Sequence, residues 1–373
     1  MIGVPLIINI EEEDSVNIGR RSKLSMREAI FYEKLEDNKV RCGLCAWNCL
    51  IREGKTGVCR VRKNVDGKLY SLVYDKVSSA VPNPVEKKPL YNFAPGSMTF
   101  SICTPGCNWK CKYCCNWMLS QGAIEGRELA PEEIVRLAKD SGCRGLSYTF
   151  TEPTIFYELS YETAKIAKEE GLYNTWVTNG YTNPEPIRKN SKYLDAVTVD
   201  FKGSGDKDFL RSFCSIPSSD PIYRALKEYK KCGVHIEITD LIVPKTGDSM
   251  EKVKELVEWV LENLGPETPI HFLRFFPNYL VHNVPSTPIK TLEEAYDIAR
   301  GLGMDYVYLG NVYDGRNNTY CPECGKLLIE RIGMSAVECK IRDGRCPFCG
   351  AKINVIGWKW SPFSEEWERN QKT

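Results

Sequence analysis

Residues 98–114 read Met98-Thr-Phe-Ser-Ile-Cys103-Thr-Pro-Gly-Cys107-Asn-Trp-Lys-Cys111-Lys-Tyr-Cys114. The first six are β-rich and apolar, as a buried strand requires, and they run into three cysteines spaced C-x3-C-x2-C. Three thiolates this close on one loop can surround an iron-sulfur cube and leave its fourth iron without a protein ligand. A structural zinc site wants a fourth Cys or His at close range, and Cys115, adjacent to Cys114, is poorly placed to serve. An iron left open can hold a substrate or cofactor through nitrogen and oxygen donors and pass an electron into it.

Outward from this stretch the chain alternates strand-like and helix-like segments as far as residue 311. Helical spacing and Pro131 at a helix start predict a helix from 131, with Ile134, Leu137 and Ala138 on one face. Strands are predicted at 146–150, 173–178, 196–201, 234–243, 270–275 and 306–309. Helices are predicted at 155–170, 184–192, 223–231, 250–264 and 292–302, the 250–264 segment carrying an apolar stripe of Val253, Leu256, Val257, Val260 and Leu264. At about 30 residues per unit this is a run of some six βα repeats, which implies a parallel sheet with helices outside it. Val284-Pro-Ser-Thr-Pro288 reads as a loop within that run, because helix and strand patterns resume after it.

The triple with Tyr113 before its last Cys, on the loop after the first strand of a βα series, resembles the signature of radical S-adenosylmethionine (SAM) enzymes. Residues 84–91 (PVEKKPLY), Asn116-Trp117 with Ser120-Gln121, Tyr148-Thr-Phe-Thr-Glu-Pro-Thr154 and Val307-Tyr-Leu-Gly-Asn-Val312 extend the likeness. With the terminal cysteines they resemble the AmmeMemoRadiSam-system radical SAM proteins, relatives of the pyruvate formate-lyase activating enzyme, over residues ~40 to 357. The resemblance implies an α/β fold, a partial (β/α)6 barrel with cluster and SAM at its C-terminal face. It implies a [4Fe-4S] cluster on Cys107, Cys111 and Cys114 and a SAM site near Tyr113, Glu152, Thr178, Asn179, Asp200 and Lys202. The residues alone also allow Glu152 as a helix N-cap and Asp200 with Lys202 as a surface ion pair. Cys115, Cys103 and Phe276 depart from the family pattern near the expected active-site mouth.

Two further cysteine groups flank this core. Cys321-x2-Cys324 with Cys346-x2-Cys349 offers four thiolates in two turns, a tetrahedral zinc-ribbon or rubredoxin-like site for zinc or one iron. Cys42, Cys45, Cys49 and Cys59, spaced C-x2-C-x3-C-x9-C among basic residues, suit a structural zinc or an auxiliary iron-sulfur cluster equally. Cys103, Cys115, Cys143, Cys214, Cys232 and Cys339 fall outside these patterns and read as inert small hydrophobes. His235, His271 and His282 form no ligand motif; the first two fall on predicted strands and read as satisfied wall residues. The expected division is a Cys-rich region at 1–95, the barrel core at 96–312, and the four-Cys ribbon with its tail at 313–373.

The 373 residues carry 50 basic and 49 acidic side chains, a net charge of +1, with 17 cysteines and 3 histidines. Near-zero charge gives no broad pull toward nucleic acid. An N-terminus interrupted by Glu11, Glu12, Glu13 and Asp14 is no secretory signal, and no window reaches the ~20 apolar residues of a membrane span. Abundant cysteines without a need for staples point to metal ligation in a reducing, cytoplasmic compartment. The expected function is an oxidoreductase that cleaves SAM reductively and abstracts hydrogen from a substrate, a protein in the activase manner or else a small molecule or lipid. A low-potential ferredoxin- or flavodoxin-like protein is the expected electron donor. A Cys-rich electron-transfer or scaffold protein without SAM chemistry is the alternative of another class.

Overall fold

The computed structural model describes residues 26–312 and 314–364. The N-terminal stretch read for a secretory signal and the last residues of the expected tail lie outside these.

One eight-stranded sheet dominates. Its strands in chain order are β1 (Ser79–Pro84), β2 (Met98–Cys103), β3 (Gly145–Tyr148), β4 (Tyr173–Thr178), β5 (Ala196–Lys202), β6 (His235–Ile242), β7 (Ile270–Arg274) and β8 (Val307–Gly310). They are bonded in that same order, β1 antiparallel to β2 and every later pair parallel. Six crossovers join the parallel strands, through α1 (Pro131–Asp140), α2 (Tyr157–Glu169), α3 (Pro184–Asn190), α4 (Asp220–Lys231), α5 (Met250–Asn263) and α6 (Ile289–Leu302). Long parallel strands buried on both faces need such helices to cover them.

The helical stripe of α5 does what its spacing predicts, with Val253, Leu256, Val257 and Val260 fully buried. Three boundaries differ from the expected ones for local reasons. β3 stops at Tyr148, not Phe150, because Phe150 turns the chain at φ 62°. α4 begins at Asp220, with Pro221 in its first turn where its missing N–H costs nothing. Pro153–Phe156 forms a tight 3-10 turn before α2. β1 was not expected at all, since Pro82 and Pro84 argue against a strand; it lies at the sheet edge, where proline is tolerated.

The residues before β1 form short antiparallel strands and turns, and Val40, Leu44, Ile51 and Val61 from this region join the same apolar core as the barrel. The residues after β8 form a three-stranded ribbon (Thr319–Tyr320, Leu327–Ile332, Ser335–Cys339) with its own core of Leu328, Ile329, Ile341 and Ile353. Arg331, 4% exposed, fastens the ribbon to the segment before β2 through a hydrogen bond to the Tyr91 carbonyl (2.7 Å).

Candidate functional site

β2 ends at Cys103, and the loop that leaves its carboxyl end carries Cys107, Cys111 and Cys114, all partly buried. Gly106 has φ 103°, which lets the chain turn into this loop. The Cys107 sulfur accepts from the Trp109 backbone N–H at 3.4 Å, and Cys114 lies 3.4 Å from the Ser120 hydroxyl. Burial, and the Glu152 carboxylate beside it, push the Cys107 thiol up. Burial raises Cys114 as well. Sharing one loop, the three soft donors fit a group that binds thiolates, whose positive charge would draw the protons off.

The stray Cys214 is not a remote hydrophobe. Its sulfur sits 3.1 Å from the Tyr113 hydroxyl and hydrogen-bonds Cys111, whose thiol is raised chiefly by that bond and then by burial. No sequence signal pointed there, because Cys214 reaches the loop from the segment between β5 and α4, a hundred residues on. Tyr113 is buried, its ring stacked on Phe209 and edge-on to Phe275.

Glu152, 2% exposed, caps the 3-10 turn, accepting from the Thr154 N–H (3.0 Å) and hydroxyl (2.6 Å). It also accepts from the Thr178 hydroxyl at 2.7 Å and the Asn179 N–H at 2.8 Å. Asn179 in turn donates to the Asn108 side-chain oxygen at 2.8 Å, next to Cys107. The capping reading of Glu152 is therefore the one its contacts express. With Thr178 and Asn179 it ties the ends of β3 and β4 to the cysteine loop, and all three side chains have protein partners.

Asp200 and Lys202 share one side of β5, as alternate strand positions must, and pair at 3.0 Å. The pair is not on the surface: its side chains are 26% and 16% exposed, and Asp200 also accepts a short hydrogen bond from Thr239. Burial works against the Lys202 charge, but Asp200 and the nearby Cys111 and Cys214 hold its proton more firmly than usual. Asp200 lines a cavity of about 240 Å³ with Tyr91, His271, Leu273, Asn317 and Met334, so the ribbon supplies part of the rim.

His235 and His271 are wall residues. Both approach Glu237, at 3.1 and 2.8 Å, and that carboxylate also accepts the backbone N–H groups of Tyr91 and Asn92. Burial would raise the Glu237 carboxyl, yet hydrogen bonds from His235 and His271 bring it down to about 2. Sequence reading missed Glu237 and Lys88 alike. Lys88 is a buried amine whose proton affinity burial pulls well down, and it hydrogen-bonds Asn83 beneath the Phe150 ring.

At the far end, Cys321, Cys324, Cys346 and Cys349 have sulfurs all within 4.8 Å of one another. Two sulfur pairs stand at 3.7 Å, against the edge of about 3.8 Å that four bonds of about 2.3 Å to one tetrahedral ion would give. The four sulfurs are thus spaced so that they could hold one metal ion. Among the described residues no helix is long and apolar enough to cross a membrane.

Residues 101–260 match the family described as the Radical SAM superfamily. An uncharacterized protein of Methanocaldococcus jannaschii is 45% identical over 338 residues, covering 89% of this chain and 100% of that one. A pyruvate formate-lyase-activating enzyme of Clostridium pasteurianum is 26% identical over 188 residues, covering 46% of this chain and 72% of its own. Among solved structures, a radical SAM methyltransferase from Sphaerobacter thermophilus aligns at a TM-score of 0.45 and 17% identity, over 61% of this chain and 70% of that chain.

Proposed function

Because the chain belongs to the radical SAM superfamily, we propose that it is an enzyme holding a [4Fe-4S] cluster on Cys107, Cys111 and Cys114 and SAM beside it. When bound, that pair supplies a 5′-deoxyadenosyl radical by one-electron reductive cleavage of SAM, and the radical takes a hydrogen atom from the substrate. The observation that carries the reading is the meeting of the cysteine loop and the cavity at one ion pair: Lys202 lies near Cys111, and its partner Asp200 lines the cavity.

The chain's own residues do the positioning. The Glu152, Thr178 and Asn179 network fixes the Asn108 turn, and through it the direction of the Cys107 sulfur. Asp200 keeps one face toward the cavity while Thr239 and Lys202 hold the carboxylate, so it can accept from a ribose hydroxyl without searching rotamers. Phe209 and Phe275 pack against Tyr113 behind the loop and help keep water from the thiols. The activating-enzyme relative favours a protein substrate. The cavity of about 240 Å³, lined by His271, Leu273 and Asn317, is of a size for a small one and is the specific ground for that second reading.

The test is anaerobic incubation of the reduced protein with SAM, with 5′-deoxyadenosine measured by chromatography and the reduced spectrum recorded by electron paramagnetic resonance with and without SAM. Turnover and a SAM-shifted signal are expected, and Cys111→Ala should abolish both. A spectrum indifferent to SAM, with no 5′-deoxyadenosine, would overturn the reading and leave the electron-transfer or scaffold alternative.

A further inference from the structure

Cys42, Cys45, Cys49 and Cys59 come from two adjoining turns of the N-terminal segment. Cys42 ends a short strand and its N–H donates to the Cys49 carbonyl at 3.0 Å, which folds the C-x2-C-x3-C run back on itself. Gly57 brings the second turn close: a Cβ there would lie 3.4 Å from the Cys49 sulfur and 3.3 Å from Ile51. All four cysteines thereby line one small cavity of about 10 Å³, walled by Leu44, Ile51, Val58 and Ile155.

The spacing of these sulfurs differs in kind from that of the ribbon. There the four sulfurs close to single-ion distances, whereas among the described residues the N-terminal four do not come within 4.8 Å of one another as a set. One ion about 2.3 Å from each of four sulfurs leaves no room at the centre for anything the size of water. The N-terminal cavity instead admits a water-sized sphere among its sulfurs and leaves the centre of that sphere about 10 Å³ in which to move. That is the arrangement expected when each cysteine binds a different iron of a cube and the cube holds the sulfurs apart.

A second observation stands apart from the cysteines. Arg62 is 1% exposed, lines the same cavity, and spends its two terminal nitrogens on Glu158 (3.0 and 2.5 Å) and the Ile155 carbonyl (3.3 Å). Among the described residues its Nε has no hydrogen-bond partner. A buried donor left unmade is costly, and a sulfide or thiolate of a cluster in that cavity would accept it.

We propose that Cys42, Cys45, Cys49 and Cys59 hold a second [4Fe-4S] cluster and not a zinc ion, with the Arg62 Nε hydrogen-bonding one of its sulfurs. The site abuts the first cysteine loop. A Cβ at Gly106 would lie 3.3 Å from the Cys59 carbonyl, and the Trp47 indole N–H donates to the Asn108 carbonyl at 2.8 Å. The assignment does not rest on the SAM reading.

Acid-labile sulfide is the decisive readout, because mononuclear zinc or iron sites contain none. The full chain, purified anaerobically and reconstituted with iron and sulfide, should hold about eight sulfides, two cubes of four. A Cys107→Ala, Cys111→Ala, Cys114→Ala variant should keep about four, with a reduced paramagnetic signal that SAM does not move. A Cys42→Ser, Cys45→Ser, Cys49→Ser, Cys59→Ser variant should lose about half the wild-type sulfide. About four sulfides and two zinc ions in the wild type, with a SAM-sensitive signal, would overturn this proposal and leave the SAM reading intact. Equal sulfide in the wild type and the Cys107, Cys111, Cys114 variant, without a SAM-sensitive signal, would do the reverse. The wild-type count decides the matter even if a variant fails to fold.

Discussion

At the scale of single residues, Glu237 shows how a buried charge is kept. Its carboxylate is fully buried and takes four donors, from His235, His271, Tyr91 and Asn92, and it fixes the wall on which Tyr91 and His271 face the cavity. Its carboxyl, lowered to about 2, contributes stability that is present above the unfolded value of 4.5 and lost as pH falls through about 2. His271, whose proton affinity is lowered by burial, adds an earlier loss below its unfolded value of 6.5, where only the unfolded chain gains a proton. Glu237→Gln should cost about 2 kcal/mol at neutral pH, because one amide oxygen cannot serve four donors. It should also flatten the acid limb of a plot of urea midpoint against pH. An unchanged acid limb in the variant would assign the loss to other carboxylates. Neither histidine nor glutamate spacing announces this cluster, since its members come together only across β6, β7 and the segment before β2.

At the scale of elements, β3 and β4 pair with Gly145 opposite Tyr173. The tyrosine ring lies over the glycine: a Cβ on Gly145 would stand 2.0 Å from a ring carbon. Tyr173 is itself edge-on to Phe93 and Trp360 at 5.2 and 5.4 Å, so it has nowhere to retreat. Gly145→Ala should therefore destabilise by about 2 kcal/mol or more, read as a fall in the urea midpoint. Combined with Tyr173→Ala the cost should be less than additive, and strict additivity would mean that the two do not clash. The strand pattern from 146 to 309 was legible because alternation and caps are local, and the helices at 131, 184 and 250 start where Pro or Ser caps predict. β1 was illegible for the complementary reason: two prolines mask a strand that, among the described residues, pairs on one side alone.

At the scale of the whole molecule, the ribbon is fastened to the segment before β2 and takes part in the cavity through Asn317 and Met334. Arg331 stacks over the Tyr91 ring at 4.3 Å, and the Tyr308 hydroxyl bonds both Asn92 and Thr319. An ion bound by Cys321, Cys324, Cys346 and Cys349 would hold the ribbon in one shape, since bound structural metal is folding energy. Replacing Cys324 and Cys349 with Ser should release the ion, lower the melting temperature and open residues 318–355 to protease, as mapped by mass spectrometry. Unaltered melting and cleavage in a metal-free variant would show that apolar packing alone holds this unit.

The chemistry and the rhythm are legible along the chain alone: soft donors in three groups, and a βα repeat whose first loop carries the triple. Both are short-range properties, set by spacing along the chain. Which donors share a cavity, that Asp200 lines a cavity with Lys202 paired to it, that Cys214 lies beside Cys111 and that Glu152 caps a turn are outcomes of the fold. Those outcomes depend on distances between segments far apart in sequence. It is likewise folding that separates the two flanking groups, by holding one set of four sulfurs at single-ion spacing and the other around an open centre.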